Sequence, residues 1–148
     1  KLTELGVDRI QLLSTDRSVV RWSAERETSR LRRYSDIIRA AAAQSERAWL
    51  PELLPPRRVE DLGESPDASV ALMSRLEGES LHGQMKDWSA STRVRFAVGP
   101  EGGFTAQEQE ALLTLGYSAT TLGRHILRAE TAATAVAAML GLGLGRYD

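Results

Sequence analysis

The residues most able to do chemistry lie in two loops, and the first reads GPEGG at residues 99–103. Glycine permits positive φ angles and lets a ligand lie directly against backbone amides and carbonyls, while Pro100 fixes one bend. Glu101 needs polar partners wherever such a turn buries it. The loop is neither a Walker A motif nor Gly-x-Gly-x-x-Gly, so a dinucleotide pyrophosphate is not implied. A lone glycine-rich loop is more often a tight turn between a strand and a helix.

The second loop reads LGRHILRAETA at residues 122–132. Its apolar members, which could wall a pocket for a planar ring, are Leu122, Ile126 and Leu127. Arg128 and Glu130 stand at the predicted start of the last helix. A glutamate there is favoured by the helix dipole. A helix-start salt bridge between Glu130 and Arg128 therefore explains the pair about as well as catalysis does.

Each loop follows a short apolar run and leads into a helix. The patterns predict strands at residues 9–13, 70–73, 94–98 and 117–122, and helices at about 28–44, 105–116 and 130–142. Thr105 and Glu108 have the spacing of a capping box, and Gly116 is suited to end the helix that they begin. This alternation predicts an α/β fold with a mainly parallel sheet and helices on both faces. Both loops would then lie at the carboxyl ends of strands, where ligands usually bind.

Two segments have weaker patterns. Prolines 51, 55 and 56 prevent residues 48–56 from being helical throughout, and a short strand followed by a turn is predicted. Residues 57–67 are polar and contain Gly63, which predicts a loop. The start, residues 1–6, reads as the tail of a helix that ends at Gly6.

The composition is that of an ordinary globular protein, and 148 residues suffice for one domain spanning residues 1–148. No apolar run approaches the roughly 20 residues of a membrane span. The absence of cysteine excludes a Cys-ligated zinc site and is typical of a cytoplasmic protein. Two histidines are too few for a His-rich site, so no metal is expected.

Charge is unevenly distributed. Residues 17–47 hold eight arginines and four acidic residues, although the whole chain has a net charge of −1. A basic segment of this kind fits an electrostatic footprint for phosphate. It fits a solvated, arginine-rich helix face equally well, and charge alone favours that plainer interpretation.

The two loops together, separated by one capped helix, resemble the SPOUT superfamily of S-adenosyl-L-methionine-dependent RNA methyltransferases. They resemble more closely the RsmE group, which methylates N3 of a uridine in 16S ribosomal RNA of the small subunit. Further similarity lies in residues 3–7, 16–18, 44–47 and 51–52. The resemblance implies a C-terminal trefoil knot and a homodimer with each site at the subunit interface. It also implies an N-terminal RNA-binding β-barrel and a first strand, and we expect both to be missing here.

The resemblance implies roles for individual residues. Those expected to bind the methyl donor are Met73, Gly99, Pro100, Glu101, Gly102, Gly103, Leu122, Gly123, Ile126, Leu127 and Arg128. Arg128 is the candidate to stabilise negative charge on the uracil oxygens. Glu101 or Glu130 would accept the N3 proton or hold the donor's amino group. Residues expected to bind RNA are Arg17, Arg33, Gln44 and Arg47.

Three alternatives remain open. A ribose 2′-O-methyltransferase of the same superfamily would modify the sugar, and mass spectrometry of the nucleoside would distinguish it. A non-catalytic RNA-binding dimer of the same fold would lack turnover. A nucleotide-binding α/β domain would prefer another ligand, such as ATP or NAD, over S-adenosylmethionine.

Overall fold

The computed structural model describes residues 1–20, 22–63, 67–72 and 78–147. Within these ranges, strands and helices alternate. Their bounds in chain order are β1 (Arg9–Ser14), α1 (Ala24–Gln44), β2 (Glu52–Arg58), a 3-10 helix (Val59–Asp61), β3 (Ala68–Leu72), β4 (Glu79–Ser80), α2 (Leu81–Gln84), a second 3-10 helix (Met85–Asp87), β5 (Val94–Val98), α3 (Ala106–Thr114), β6 (Ser118–Thr121) and α4 (Ala129–Gly143).

The strands form two sheets in the described part of the chain, and every pairing is parallel. The larger sheet has the order β4-β6-β3-β5, and the smaller one pairs β1 with β2. Leu72 at the end of β3 lies beside Val98 of β5 and Thr120 of β6. The predicted α/β class with parallel strands is therefore confirmed, although the strands divide between two sheets.

Helices cover both faces of the larger sheet. Val70 and Ala71 are neighbours on β3, so their side chains point to opposite faces. Val70 packs in a cluster with Val136 of α4, whereas Ala71 packs in a separate cluster with Leu112 of α3. The two layers place α3 and α4 on opposite sides of the sheet, as the sequence predicts.

Helix α1 begins earlier than the sequence predicts. Thr28 or Ser29 is the predicted cap, but the helix starts at Ala24 with Ser23 as its N-cap, and the Ser23 side chain caps no amide. Glu25 and Glu27 lie in the first turn, where the helix dipole favours acidic side chains. In the described ranges no helix is both long enough and apolar enough to cross a bilayer.

Strand β2 continues through two prolines where a turn was predicted. It pairs only with β1 in the described chain, so the missing amides of Pro55 and Pro56 can be tolerated at an edge. The register shifts between Gln11 and Leu13 of β1, and the Gln11 side-chain amide donates a hydrogen bond to the Pro55 carbonyl. This irregularity accommodates the prolines without ending the strand.

The polar segment predicted as a loop contributes to the core. Val59 is fully buried and Leu62 nearly so, and both join the cluster under α3. A single 3-10 turn brings these two side chains to the same face. The charged residues around this pair interrupt any apolar periodicity, so the sequence pattern does not predict its burial.

The first residues form a turn. Backbone bonds run from the Leu5 amide to the Lys1 carbonyl and from the Val7 amide to the Leu2 carbonyl, with Gly6 at a φ of 81°. The glycine therefore occupies the left-handed position predicted for it, although the residues before it form only this turn in the chain described.

Candidate functional site: a cavity between two loops

A cavity of about 430 Å³ opens at the carboxyl ends of the larger sheet. Strands β3, β5 and β6 end beside it at Leu72, Val98 and Thr121. The loop 99–104 forms one wall, and residues 120–127 without Arg124 form another. The sequence predicted this edge of the sheet, and the structure brings both loops to the same cavity.

The glycine-rich loop is a tight turn held by its own backbone. The Gly103 amide donates to the Pro100 carbonyl at 2.8 Å, and Gly103 has a φ of 69°. A Cβ added to Gly99 would lie 3.2 Å from the Phe104 ring, so the loop and the ring are closely packed. Glu101 is exposed at the cavity, and its carboxylate therefore needs no buried partner.

The predicted capping box holds the exit of this loop. The Thr105 hydroxyl accepts from the Glu108 amide at 3.2 Å, and the Glu108 carboxylate accepts from the Thr105 amide at 2.8 Å. Helix α3 therefore begins at Ala106, directly after its N-cap Thr105. Gly116, with a φ of 83°, follows the end of the helix as predicted.

The second loop gives the cavity an apolar rim. Gly123 has a φ of 127°, and its amide donates to the Thr121 hydroxyl at 3.2 Å. Ile126 and Leu127 line the cavity and remain 65% and 38% exposed. Exposed aliphatic side chains at a cavity mouth favour contact with a ring or with another apolar surface.

Of the predicted catalytic residues, the structure brings only Glu101 to the cavity wall. Arg128 is the N-cap of α4 and Glu130 lies in its first turn, and both are exposed. Within the described residues they form no ion pair with each other, so the salt bridge of the plainer interpretation is not formed. Met73, a predicted donor-binding residue, lies outside the described residues.

The predicted RNA-binding residues are spread over the basic segment. Arg33 and Gln44 are exposed on α1, and Arg17 lines the cavity. Arg47 donates from Nη1 to the carbonyls of Thr3 at 2.8 Å and Val7 at 3.1 Å. Its contacts hold the first turn of the chain, a structural role that the sequence analysis did not anticipate.

Sequence reasoning missed several lining residues. The residues that line the cavity without having been predicted to do so are Arg17, Leu72, Val98, Phe104, Gln109, Thr120, Thr121, His125, Ala129 and Ala132. The rule that ligands meet the carboxyl ends of parallel strands could have found the strand-end members. No local pattern could have found Arg17, because its contact with the loop spans 85 positions.

A second cavity of about 480 Å³ lies at the opposite end of the sheet, beside the first residues of β3 and β6. Acidic side chains rim it, and one of them, Asp67, accepts a hydrogen bond from Arg93 at 3.0 Å. That bond lowers the pKa of the Asp67 carboxyl. Because both glycine-containing loops lie at the other end, we assign the ligand to the carboxyl-edge cavity.

Fold and cavity together define an α/β domain with a ligand cavity built from two loops. A family model described as an RNA methyltransferase domain matches residues 1–141. The chain therefore belongs to the RNA methyltransferase domain family.

Comparison with named relatives shows which group within this family the chain resembles. The chain is 33% identical over 142 residues to the ribosomal RNA small subunit methyltransferase E of Synechocystis, a match that covers 93% of the chain and 46% of that relative. It is 32% identical over 152 residues to the Mycobacterium bovis protein of the same name, covering 99% of the chain and 57% of the relative. The predicted resemblance to the RsmE group is confirmed, and the chain spans about half the length of these curated relatives.

A solved structure gives the same result. The ribosomal RNA small subunit methyltransferase E from Neisseria gonorrhoeae, bound to S-adenosyl methionine, superimposes with a TM-score of 0.82 at 35% identity. The match covers 97% of this chain and 58% of that one. The fold of this chain is therefore that of a methyltransferase domain solved with its methyl donor.

Proposed function

We propose that the chain is the catalytic domain of an S-adenosylmethionine-dependent methyltransferase that modifies N3 of a uridine in 16S ribosomal RNA. The observation that carries the proposal is the meeting of residues 99–104 and 120–127 at one cavity. The names of the relatives support ribosomal RNA of the small subunit as the substrate. The choice of uridine N3 rests on the resemblance to the RsmE group.

The cavity suits the methyl donor in size and chemistry. Its volume of about 430 Å³ lies in the usual range of roughly 300–1,000 Å³ for small-molecule sites. The glycine-rich turn offers backbone groups without side-chain obstruction, and Ile126 and Leu127 offer apolar surface for a ring. The Neisseria gonorrhoeae relative was solved with S-adenosyl methionine bound, which supports the same ligand here.

S-adenosylmethionine, when bound, supplies a methyl group carried on a positively charged sulfur. The protein must hold the uracil ring in line with that group, and most of the rate gain should come from this positioning. The target base must leave its stack to enter the cavity. Gly103 and Gly123, where nothing lies within 4 Å of an added Cβ, would let the donor lie close to the backbone, while Leu122 would contact it from the second loop.

The proposed chemical roles fall to three charged residues. Arg128, exposed beside the cavity, would stabilise negative charge on the uracil oxygens as the N3 proton is lost. Glu101 on the cavity wall, or Glu130 in the first turn of α4, would accept that proton. Glu101 has the better position because it alone of the two carboxylates lines the cavity.

RNA would approach along the basic segment. Arg33 and Gln44 are exposed on α1 and are available to contact phosphate or sugar. Arg17 and Arg47 belong to the same proposed surface, although both also bind backbone carbonyls of this chain.

We propose the trefoil knot and the homodimer on structural grounds as well as family resemblance. Strand β6 is inserted between β3 and β4, although both of these strands precede it in the chain. Gly78, before β4, approaches β6 so closely that an added Cβ would lie 2.5 Å from the Ala119 carbonyl oxygen. The exposed Ile126 and Leu127 at the cavity mouth fit coverage by a second subunit.

Transfer of a labelled methyl group to unmodified small subunits and to naked 16S RNA tests the function. Digestion to nucleosides should yield 3-methyluridine as the labelled product. A label on the ribose 2′-oxygen would favour the sugar-modifying alternative. Donor binding without any transfer would favour the non-catalytic RNA-binding alternative.

A further inference from the structure

The loop after β1 reaches across the molecule to the glycine-rich turn. Arg17 Nη1 donates to the Gly102 carbonyl at 2.9 Å and to the Phe104 carbonyl at 3.4 Å. The stem of the same side chain covers Gly102, where an added Cβ would lie 3.1 Å from the Arg17 Cβ. Arg17 therefore binds the turn through two carbonyls and packs against Gly102.

A buried carboxylate holds this loop in place. Glu108 is only 2% exposed, and its two oxygens bind two separate segments. Oε2 accepts from the Thr105 amide at 2.8 Å, while Oε1 accepts from the Asp16 amide at 2.9 Å. The carboxylate thus joins the exit of the glycine-rich turn to the residue just before Arg17.

Other contacts stiffen the same loop. The Thr15 and Ser18 hydroxyls lie 2.7 Å apart in a hydrogen bond, and the Ser18 amide donates to the Thr15 carbonyl at 3.2 Å. Arg58 lies 3.6 Å from the Asp16 carboxylate on the exposed side. Arg17 therefore lies in a loop whose two ends are hydrogen-bonded to each other and whose Asp16 is held by Glu108 and Arg58.

Such support matters because a glycine-rich turn has many alternative conformations. A ligand that must order the turn as it binds has a lower affinity, because ordering the chain costs free energy. A turn that is already ordered avoids this cost. Hydrogen bonds from a guanidinium to carbonyls are stronger than those between neutral groups. Arg17 is well suited to hold the turn in its binding conformation.

We propose that Arg17 is a positioning residue for the methyl-donor cavity, and that Glu108 acts through it by fixing the Asp16 amide. The inference rests on the proposed function, because it takes S-adenosylmethionine as the ligand of the cavity. It assigns Arg17 a role on the donor side of the site, whether or not RNA also contacts its guanidinium.

Glutamine at position 108 separates the two jobs of the carboxylate. The capping box accepts glutamine, whose single carbonyl oxygen can keep the Thr105 amide. Glutamine has one acceptor oxygen for two amides, so when that oxygen keeps the Thr105 amide, the NH₂ group cannot accept from the Asp16 amide and the link to the Arg17 loop is lost. Glu108→Gln thus leaves the start of α3 intact and releases the loop.

The test is a double-mutant cycle on S-adenosylmethionine affinity, measured by calorimetry with Arg17→Ala, Glu108→Gln and the double variant. Arg17→Ala should weaken binding about tenfold, the loss expected for one charge-assisted hydrogen bond. Glu108→Gln should weaken binding less than Arg17→Ala does. In the double variant it should cause no further loss of affinity. Arg9→Ala, which removes an exposed arginine paired with Glu52, is the charge-matched control and should leave affinity unchanged.

Hydrogen exchange at the Gly103 amide gives a readout that needs no ligand. Both single variants should speed its exchange, because the turn that buries the bond to Pro100 is no longer held. Equal affinity for wild type and Arg17→Ala would overturn the inference. A loss of affinity on Glu108→Gln that is equal in the wild-type chain and in the Arg17→Ala variant would also overturn it. A wild-type chain that fails to bind S-adenosylmethionine would instead contradict the proposed function, and the inference would fall with it.

Discussion

At the scale of single residues, the cavity separates groups that line it from groups that flank it. Glu101 lines the wall, whereas Arg128 and Glu130 are exposed beside it. A flanking arginine can reach a bound base without taking part in donor binding. This difference makes the proposed roles separable by experiment.

Arg128→Ala should reduce methyl transfer by about 10²–10³-fold, the usual loss when one group that stabilises a developing oxyanion is removed. Donor affinity should change little, because Arg128 is not among the lining residues. Single-turnover transfer and calorimetry measure the two effects. Arg124→Ala, exposed in the same loop and also outside the lining, should retain both, and equal turnover by Arg128→Ala would remove Arg128 from the mechanism.

Gly99→Val should block donor binding. Even a Cβ at this position would lie 3.2 Å from the Phe104 ring, and the branched side chain must push the ring or the turn into the cavity. Gly63→Val is the control, because nothing lies within 4 Å of a Cβ there. Normal affinity of the Gly99 variant in calorimetry would contradict the cavity assignment.

At the scale of elements, the sequence signals that act within one helix turn predicted the helix ends correctly. The capping box and Gly116 fixed both ends of α3 from sequence, because each acts within one turn of the helix. Ser23 gave no such signal for α1, since its side chain makes no capping bond. The buried pair Val59 and Leu62 was missed because its burial depends on α3, far along the chain.

Thr105→Ala should destabilise the fold by about 1 kcal/mol, the usual cost of a lost N-cap. The hydroxyl bond to the Glu108 amide is removed, while the Glu108 carboxylate can still accept from the backbone of residue 105. Urea unfolding measures the change. Thr114→Ala at the other end of α3 should be neutral or slightly stabilising, because alanine favours helix more than threonine does; a similar loss for both would refute the capping role.

At the scale of the whole molecule, the order of the sheet decides where the loops meet. Strand β6 is inserted between β3 and β4, which brings the second loop beside the first. The spacing of two unusual loops around one capped helix was enough to predict their meeting. Arg17 and Gln109 could not be predicted as their neighbours, because long-range packing brings them to the cavity.

Gly78→Ala should prevent folding or destabilise it by more than about 3 kcal/mol, beyond the range of most single substitutions. Its Cβ would lie 2.5 Å from the Ala119 carbonyl oxygen, and two backbone segments would have to separate. Gly123→Ala is the matched control, because its φ of 127° resembles the 120° of Gly78 but nothing lies within 4 Å. Equal losses in thermal unfolding would assign the effect to backbone strain and refute the close crossing.

The most direct measurement of the central claim is an NMR titration of the labelled chain with S-adenosylmethionine, following the backbone amides. Amides of residue 99 and of residues 101–104 and 121–127 should shift together, with one dissociation constant and one donor per chain. Amides beside the opposite cavity, at residues 67–69 and 116–119, should stay in place. Shifts confined to one loop, or to that opposite cavity, would contradict a single donor site built from both loops.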